Sequence, residues 1–147
     1  MDIPSAIRIP ICIEQGSVFN FLHEVQGVGR QSKNRYFVVM NRNPKTDTVL
    51  LLVTPTTQIE KKRSFVRLAG ISNETIVEVT PAECQMLSHN SAFNCNDLIE
   101  VKLSDLVAKI ENNGSDHFSK IPELIMKKLI YGVKESPMVS EDHKKLL

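Results

Sequence analysis

Arg35 opens the apolar run 36–40, and Thr56 and Thr57 close a second apolar run that begins at Val49. These residue types suit phosphate chemistry. A guanidinium is planar and permanently charged, and its fork of donors matches phosphate oxygens, so it can hold a scissile phosphate and the charge developing on it. Hydroxyls at the end of a buried strand can hydrogen-bond the same group. Lys61, Lys62, Arg63 and Arg67 follow the threonines, and Arg30 and Lys33 precede Arg35, so a basic rim for a nucleic-acid backbone could form around them. Each residue alone has a plainer reading: a solvated arginine at a strand start, β-branched residues in a strand, a solvated charged face. His23 follows an apolar stretch and could act as a general base, although isolated histidines more often serve structure. No P-loop, GxSxG, HExxH or dinucleotide fingerprint is present.

The elements that must hold these residues read mostly as short strands. Residues 1–15 contain two prolines and alternate Ile7, Ile9, Ile11 and Ile13 with other residues, which predicts an extended arm or edge strand. A strand over 18–25 leads into 26–34, a mobile loop with two glycines and two basic residues. Strands over 35–41 and 49–58 follow, joined by a turn containing Asn43, Pro44 and Asp47. A charged connection from Gln58 then precedes short strands at 64–68 and 76–79. Thr80, Pro81 and Glu83 have the order of a capping box opening a short helix that ends near Leu87. A loop from Ser88 leads into a strand over 96–103, Ser104 caps a helix stopped by Gly114, and a last helix starts at Pro122 with Gly132 near its end. Residues 134–147 read as a loosely held polar tail. Five or six short strands with small helices predict a compact, mainly antiparallel β barrel with α additions.

Composition sets the class. At 147 residues the chain is long enough for one domain with a real core, and 41% hydrophobic and 24% charged residues are ordinary for a soluble globular protein. Six Phe, two Tyr and no Trp weigh against a series of base-stacking platforms. A net charge of +1 gives no global field for nucleic acid, leaving only local basic patches. Cys12, Cys84 and Cys95 are scattered without a CxxC, which fits reduced thiols in the cytoplasm rather than disulfides, and no His lies at zinc-ligand spacing from them. There is no secretory pattern at the start, and the longest apolar run is far short of a membrane span. The expected location is cytoplasmic.

The motifs taken in order resemble the MazF/PemK (Kid) family of toxins from bacterial toxin–antitoxin systems. GSVF at 16–19 resembles the family's Gly-Asp-Val-Tyr/Phe opening, and GVGRQSKN leading into RYFVVMN is similar to its loop ending in Arg-Pro before a Val-rich strand. VTPTTQIEKK is similar to the family's strand end at Thr, SAFNCNDLIEVKLSDL matches its Ser-Val-Ile-Leu entry and following helical segment, and IPELIMKKLIYGV resembles its terminal helix. The likeness covers residues 16–133, between an N-terminal extension (1–15) and a polar tail (134–147). It implies an SH3-like antiparallel β barrel with short helices and a C-terminal helix. It further implies a homodimer that cleaves single-stranded RNA without metal or cofactor, through the RNA's own 2′-hydroxyl, and that a cognate antitoxin neutralises. Carried over, the family arginine falls on Arg35 and the family threonine on Thr56, or on Thr57 with a shift of one. Arg30, Lys33, Gln58, Lys61, Lys62 and Arg63 become RNA contacts, and the loop 26–34 also meets the antitoxin. Tyr36 replaces the family proline and Glu100 stands where many members carry arginine, so a catalytically silent SH3-like module binding RNA or a peptide is the alternative reading. A related barrel toxin held by an RNA antitoxin is another.

Overall fold

The computed structural model describes residues 3–23, 33–113 and 115–147. In chain order the elements are α1 (Ser5–Cys12), β1 (Ser17–His23), β2 (Lys33–Val39), β3 (Leu50–Val53), β4 (Pro55–Thr56) and α2 (Ile59–Ala69). A 3-10 turn (Asn73–Thr75) then leads to β5 (Ile76–Val79), β6 (Ser91–Asn94), β7 (Ile99–Val101), α3 (Leu103–Asn113), β8 (Ser115–Lys120), α4 (Glu123–Glu135) and α5 (Glu141–Lys144).

The strands are antiparallel, as the sequence predicts, and they form two sheets: a five-stranded sheet in the order β7-β3-β2-β1-β8 and a three-stranded one in the order β4-β6-β5. Both sheets are open; among the described residues β7 and β8 are edges and do not pair, so the architecture is mixed α/β rather than a closed barrel. The reason the large sheet forms is legible in β3, whose four residues are all buried. Its side chains alternate between two layers, Leu50 and Leu52 on one side and Leu51 and Val53 on the other. On the first side Phe19, Phe21, Phe37 and Val39 pack with Ile9 and Ile13 near α1 and with Leu106 and Ile110 of α3. On the second, Val18, Val38 and Met40 pack with Val77, Val79 and Phe93 of the small sheet and with Ile125, Met126, Leu129 and Val133 of α4. α2 covers the far side of the small sheet through Val66, against Ile76 and Ala92.

Several elements differ from expectation, each for a packing reason. The arm is a helix, α1, with Pro10 inside it. Its isoleucines satisfy a period of two, but also the i, i+4 spacing of a helix, and it is Ile9 and Ile13 that are buried while Ile7 and Ile11 stay exposed. The charged connection and the strand expected at 64–68 are one helix, α2, stopped by Gly70 at φ 70°, with Ile71 N–H returning to Val66 O at 2.9 Å. The capping-box bonds at Thr80 and Glu83 do form, at 3.0 and 3.3 Å, but they close a turn and no helix, because the chain swings inward to bury Cys84 and Leu87. The loop expected from Ser88 ends in a strand, β6, and Ser104 lies inside α3 instead of capping it. Gly114 lies outside the described residues.

The tail is not loose. Val139 and Leu147 join the core, Ser136 is fully buried, Arg42 N–H donates to Leu146 O at 2.8 Å, and His143 reaches Glu100 at 2.6 Å. α4 itself approaches β6 and the 3-10 turn so closely that a Cβ on Gly132 would lie 2.8 Å from Cys95 Sγ and 2.9 Å from Glu74 O. Alanine is the better helix former by about 1 kcal/mol, yet here the carbonyl is backbone and cannot swing aside. Gly132→Ala is therefore expected to be net destabilising by about 1–3 kcal/mol, read as a lower urea midpoint; an unchanged or raised midpoint would show that α4 can back away.

Candidate functional site

Arg35 sits near the start of β2, opposite Phe21 of β1. Strand alternation puts it on the side of Phe37 and Val39, the face covered by α1 and α3. The side chain as a whole is half-buried, but its Nε is buried and has no hydrogen-bond partner among the described residues. A buried guanidinium N–H without an acceptor is costly and uncommon. Tyr36, next along, is 37% exposed and on the opposite face.

The threonines reach the same end of the large sheet but in another layer: the small sheet packs on the face opposite α1 and α3, and Thr56, paired with Ala92, lies toward its α2 side. β3 runs antiparallel to β2 with Val53 opposite Val38, so the chain beyond Val53 travels toward the Arg35 end. Thr54 Oγ1 donates to Tyr36 O at 2.8 Å, which ties the two strands one residue away from Arg35. The chain then crosses to the small sheet, where Thr56 pairs with Ala92 of β6. Thr56 Oγ1 accepts the N–H of Gln58 at 3.2 Å, a local bond that sets the turn into α2. Thr57 and Gln58 are exposed, and Gln58 is the N-cap of α2 without a side-chain capping bond.

Lys61, Lys62 and Arg63 lie on α2, directly after this turn. Lys61 is exposed and Lys62 half-buried. Arg63 is occupied: it donates to Glu78 Oε2 at 2.6 Å and to Asn73 Oδ1, tying α2 to β5 and the 3-10 turn. The hydrogen bond to Glu78 raises the Arg63 pKa, and the same bond from Arg63 lowers that of Glu78. Lys33 pairs with His23 across β1 and β2, so it is in a strand and not in a loop. Arg30 lies outside the described residues, as does the loop except for Lys33 and Asn34, which are in β2.

Glu100, on β7 opposite Leu51, has its carboxylate on His143 of α5. Its observed role is to hold the C-terminal segment, a contact that the sequence does not announce because forty-odd residues separate the pair. Cys84 and Cys95 are buried and Cys12 is exposed, all as free thiols. Burial pushes the Cys95 thiol up to about 12, which keeps it protonated and inert. Among the described residues no three His, Cys, Asp or Glu side chains gather as a metal site, and no helix is long and apolar enough to cross a membrane.

The fold and these residues thus define a mixed α/β domain with an arginine and a threonine turn at one end of its larger sheet. No protein-family model matches the chain, and no curated protein matches it.

Proposed function

We propose that the chain is an endoribonuclease of the toxin type, cleaving single-stranded RNA at the Arg35 end of the large sheet. The observation that carries the reading is the buried Nε of Arg35, which has no acceptor among the described residues. Support comes also from the ordered motifs that resemble the MazF/PemK family, on which the SH3-like barrel, the homodimer and the cognate antitoxin rest. In the proposed reaction the 2′-oxygen attacks the adjacent phosphorus and the bond to the 5′-oxygen of the next nucleotide breaks. The 2′-proton passes to a base and a proton goes to the departing oxygen, leaving a 2′,3′-cyclic phosphate and a 5′-hydroxyl. The nucleophile belongs to the RNA, so the protein's contribution is to position the phosphate and stabilise its charge. Arg35 does this as a fixed cation, a guanidinium being a poor general acid or base. Thr57, with a hydroxyl that makes no local bond among the described residues, and Thr56, whose hydroxyl can still donate, sit across the large sheet from the Arg35 side chain, so the second contact proposed for them is with the RNA where it wraps the end of the sheet. Lys61, Lys62, Gln58, Lys33 and Arg30 supply the backbone contacts; Arg63, already held by Glu78, contributes less.

The test is cleavage of a mixed panel of single-stranded RNAs in EDTA. The wild-type chain is expected to yield cyclic-phosphate ends, and Arg35→Ala to lower the rate by about 10²–10³-fold with unchanged circular dichroism. Cleavage that survives in Arg35→Ala would remove the arginine from the mechanism. Intact RNA with the folded wild-type chain across the panel would leave a binding module in place of an enzyme.

A further inference from the structure

We infer that the open edge of β5 is a docking groove for an extended acidic peptide segment of a partner protein. The inference stands apart from the ribonuclease reading and concerns a different face of the small sheet.

The backbone supplies the first reason. Among the described residues β5 pairs only with β6, with Val77 opposite Phe93, and Cys95 N–H donates to Thr75 O at 2.8 Å. In an antiparallel ladder the hydrogen-bonding pairs alternate. Thr75, Val77 and Val79 therefore bond inward to β6, while Ile76 and Glu78 direct their backbone groups outward. The Ile76 N–H is taken by Asn73 O of the 3-10 turn. Three groups remain without partners among the described residues: the carbonyls of Ile76 and Glu78 and the N–H of Glu78. They form one side of a strand-pairing site.

The surroundings supply the second. The edge lies on the floor of a groove of about 430 Å³ between α2 and α4, walled by Arg63 on one side and by Lys127, Lys128 and Tyr131 on the other. Arg63 is neutralised by Glu78 and Lys127 is partly engaged by Glu123 at 3.6 Å, but Lys128 makes no ion pair among the described residues. Leu124, Lys128 and Tyr131 follow i, i+4, i+7 along the exposed side of α4, with Leu124 at 75% and Tyr131 at 52% exposure. Of these, Lys128 and Tyr131 line the groove together with Lys127, so a strand laid on β5 would meet a cationic and an aromatic group there.

The same features select the occupant. A nucleic-acid backbone, charged at every unit, could not keep its charges away from Glu74 and Glu78 and would leave the strand groups unpaired. A second copy is also disfavoured: with the Ile76 N–H occupied, the only residues able to exchange both bonds with an antiparallel copy are Glu78 and its counterpart, and like charges directly opposite destabilise a pair. A heterologous strand avoids both problems when a neutral residue stands opposite Glu78 and its carboxylates are on the alternate positions, which point toward Lys127 and Lys128 of α4.

The test pans a phage-displayed random dodecapeptide library on the full chain, with counter-selection on Glu78→Pro. That variant deletes the outward N–H without touching a β6 bond, and Glu78→Ala controls for the lost contact to Arg63. Selected peptides, measured by fluorescence anisotropy, are expected to be acidic with alternating β-branched residues and to protect the Glu78 amide from hydrogen exchange. They should bind Glu78→Ala nearly as well as wild type, and Glu78→Pro and Lys128→Glu about tenfold more weakly. If Glu78→Pro does not fold, the exchange of the Glu78 amide and the surface variants Lys128→Glu and Tyr131→Ser decide. Selection of no peptide that distinguishes wild type from these variants overturns the proposal. So does oligouridylate RNA binding that depends on Lys128 but not on the Glu78 amide, or a dimer in light scattering that Glu78→Pro abolishes.

Discussion

Replacing Phe37 by alanine is expected to cost about 3–5 kcal/mol of stability. Phe37 is fully buried in the middle of β2, between the large sheet and the α1/α3 layer. Its ring stacks on Phe21 of the neighbouring strand, with centroids 4.1 Å apart and planes 15° from parallel. Alanine would remove the ring's buried area and the stacking, and would leave a cavity beside Val39, Leu52 and Leu106, all fully buried members of the same cluster. Two strands and two helices meet there, so the site cannot collapse without moving several elements at once. A domain of this size has a total stability of about 5–15 kcal/mol, which puts the variant close to unfolding at room temperature. Urea denaturation is the measurement. The midpoint should fall steeply with the slope retained, and a loss below about 1.5 kcal/mol would mean that the two layers are not packed as described. Phe37 is two residues from Arg35 on the same face, so any test of Arg35 needs a β2 that remains folded.

Asn96→Ala is expected to be the most damaging substitution of a polar residue. Asn96 is 6% exposed and connects three elements. Its Nδ2 donates to Thr75 Oγ1 at 2.8 Å, at the end of the 3-10 turn, and to Asn94 Oδ1 at 3.0 Å. Its Oδ1 accepts from Ser136 Oγ at 2.6 Å, just beyond α4, and that hydroxyl in turn accepts the Met138 N–H at 3.1 Å. Thr75 and Ser136 are themselves fully buried. Removing the amide strands the Ser136 hydroxyl and opens a small void, at about 1–3 kcal/mol for each buried group left unpaired. Because Ser136 begins the segment that carries Val139 and Leu147 into the core, loosening of the C-terminus should follow. Thermal unfolding by circular dichroism should show Tm lower by roughly 5 °C or more, with early hydrogen exchange at residues 138–147. A Tm within a degree of wild type would show that water replaces the amide.

Both variants test packing that is invisible to local pattern, and the same division runs through the whole chain. β1, β2, β3 and β5 are legible because a strand buried on both faces, or on one, reads as a continuous or alternating apolar run wherever it lies. α4 is legible because its apolar spacing is unambiguous over thirteen residues: Ile125, Met126, Leu129 and Val133 recur at helical intervals and all are buried. α1 and α2 were not legible. Four isoleucines at every second position suit strand and helix alike, and α2 buries only Val66 fully, so its amphipathic signal is thin; the one usable cue was Gly70 as a helix stop.

The candidate site divides in the same way. Sequence alone marks Arg35 and the threonines as strand-end polar groups, because charge and hydroxyls interrupt an apolar run there. It also marks the basic run after Gln58, but cannot say that Arg63 is already committed to Glu78, fifteen residues away, or that Glu100 serves His143. Those pairings depend on which elements lie side by side, and that is decided by burial of surfaces far apart in the chain. By itself the sequence determined one domain's worth of antiparallel strands, a closing helix and the residue types able to hold a phosphate. Only the tertiary structure decided that the tail is part of the core and that, among the described residues, the sheets stay open, the Arg35 Nε has no acceptor and β5 keeps a free edge. Local propensity governs the backbone of a few residues at a time, whereas layer packing and edge pairing are settled by contacts between segments that meet only in the folded chain.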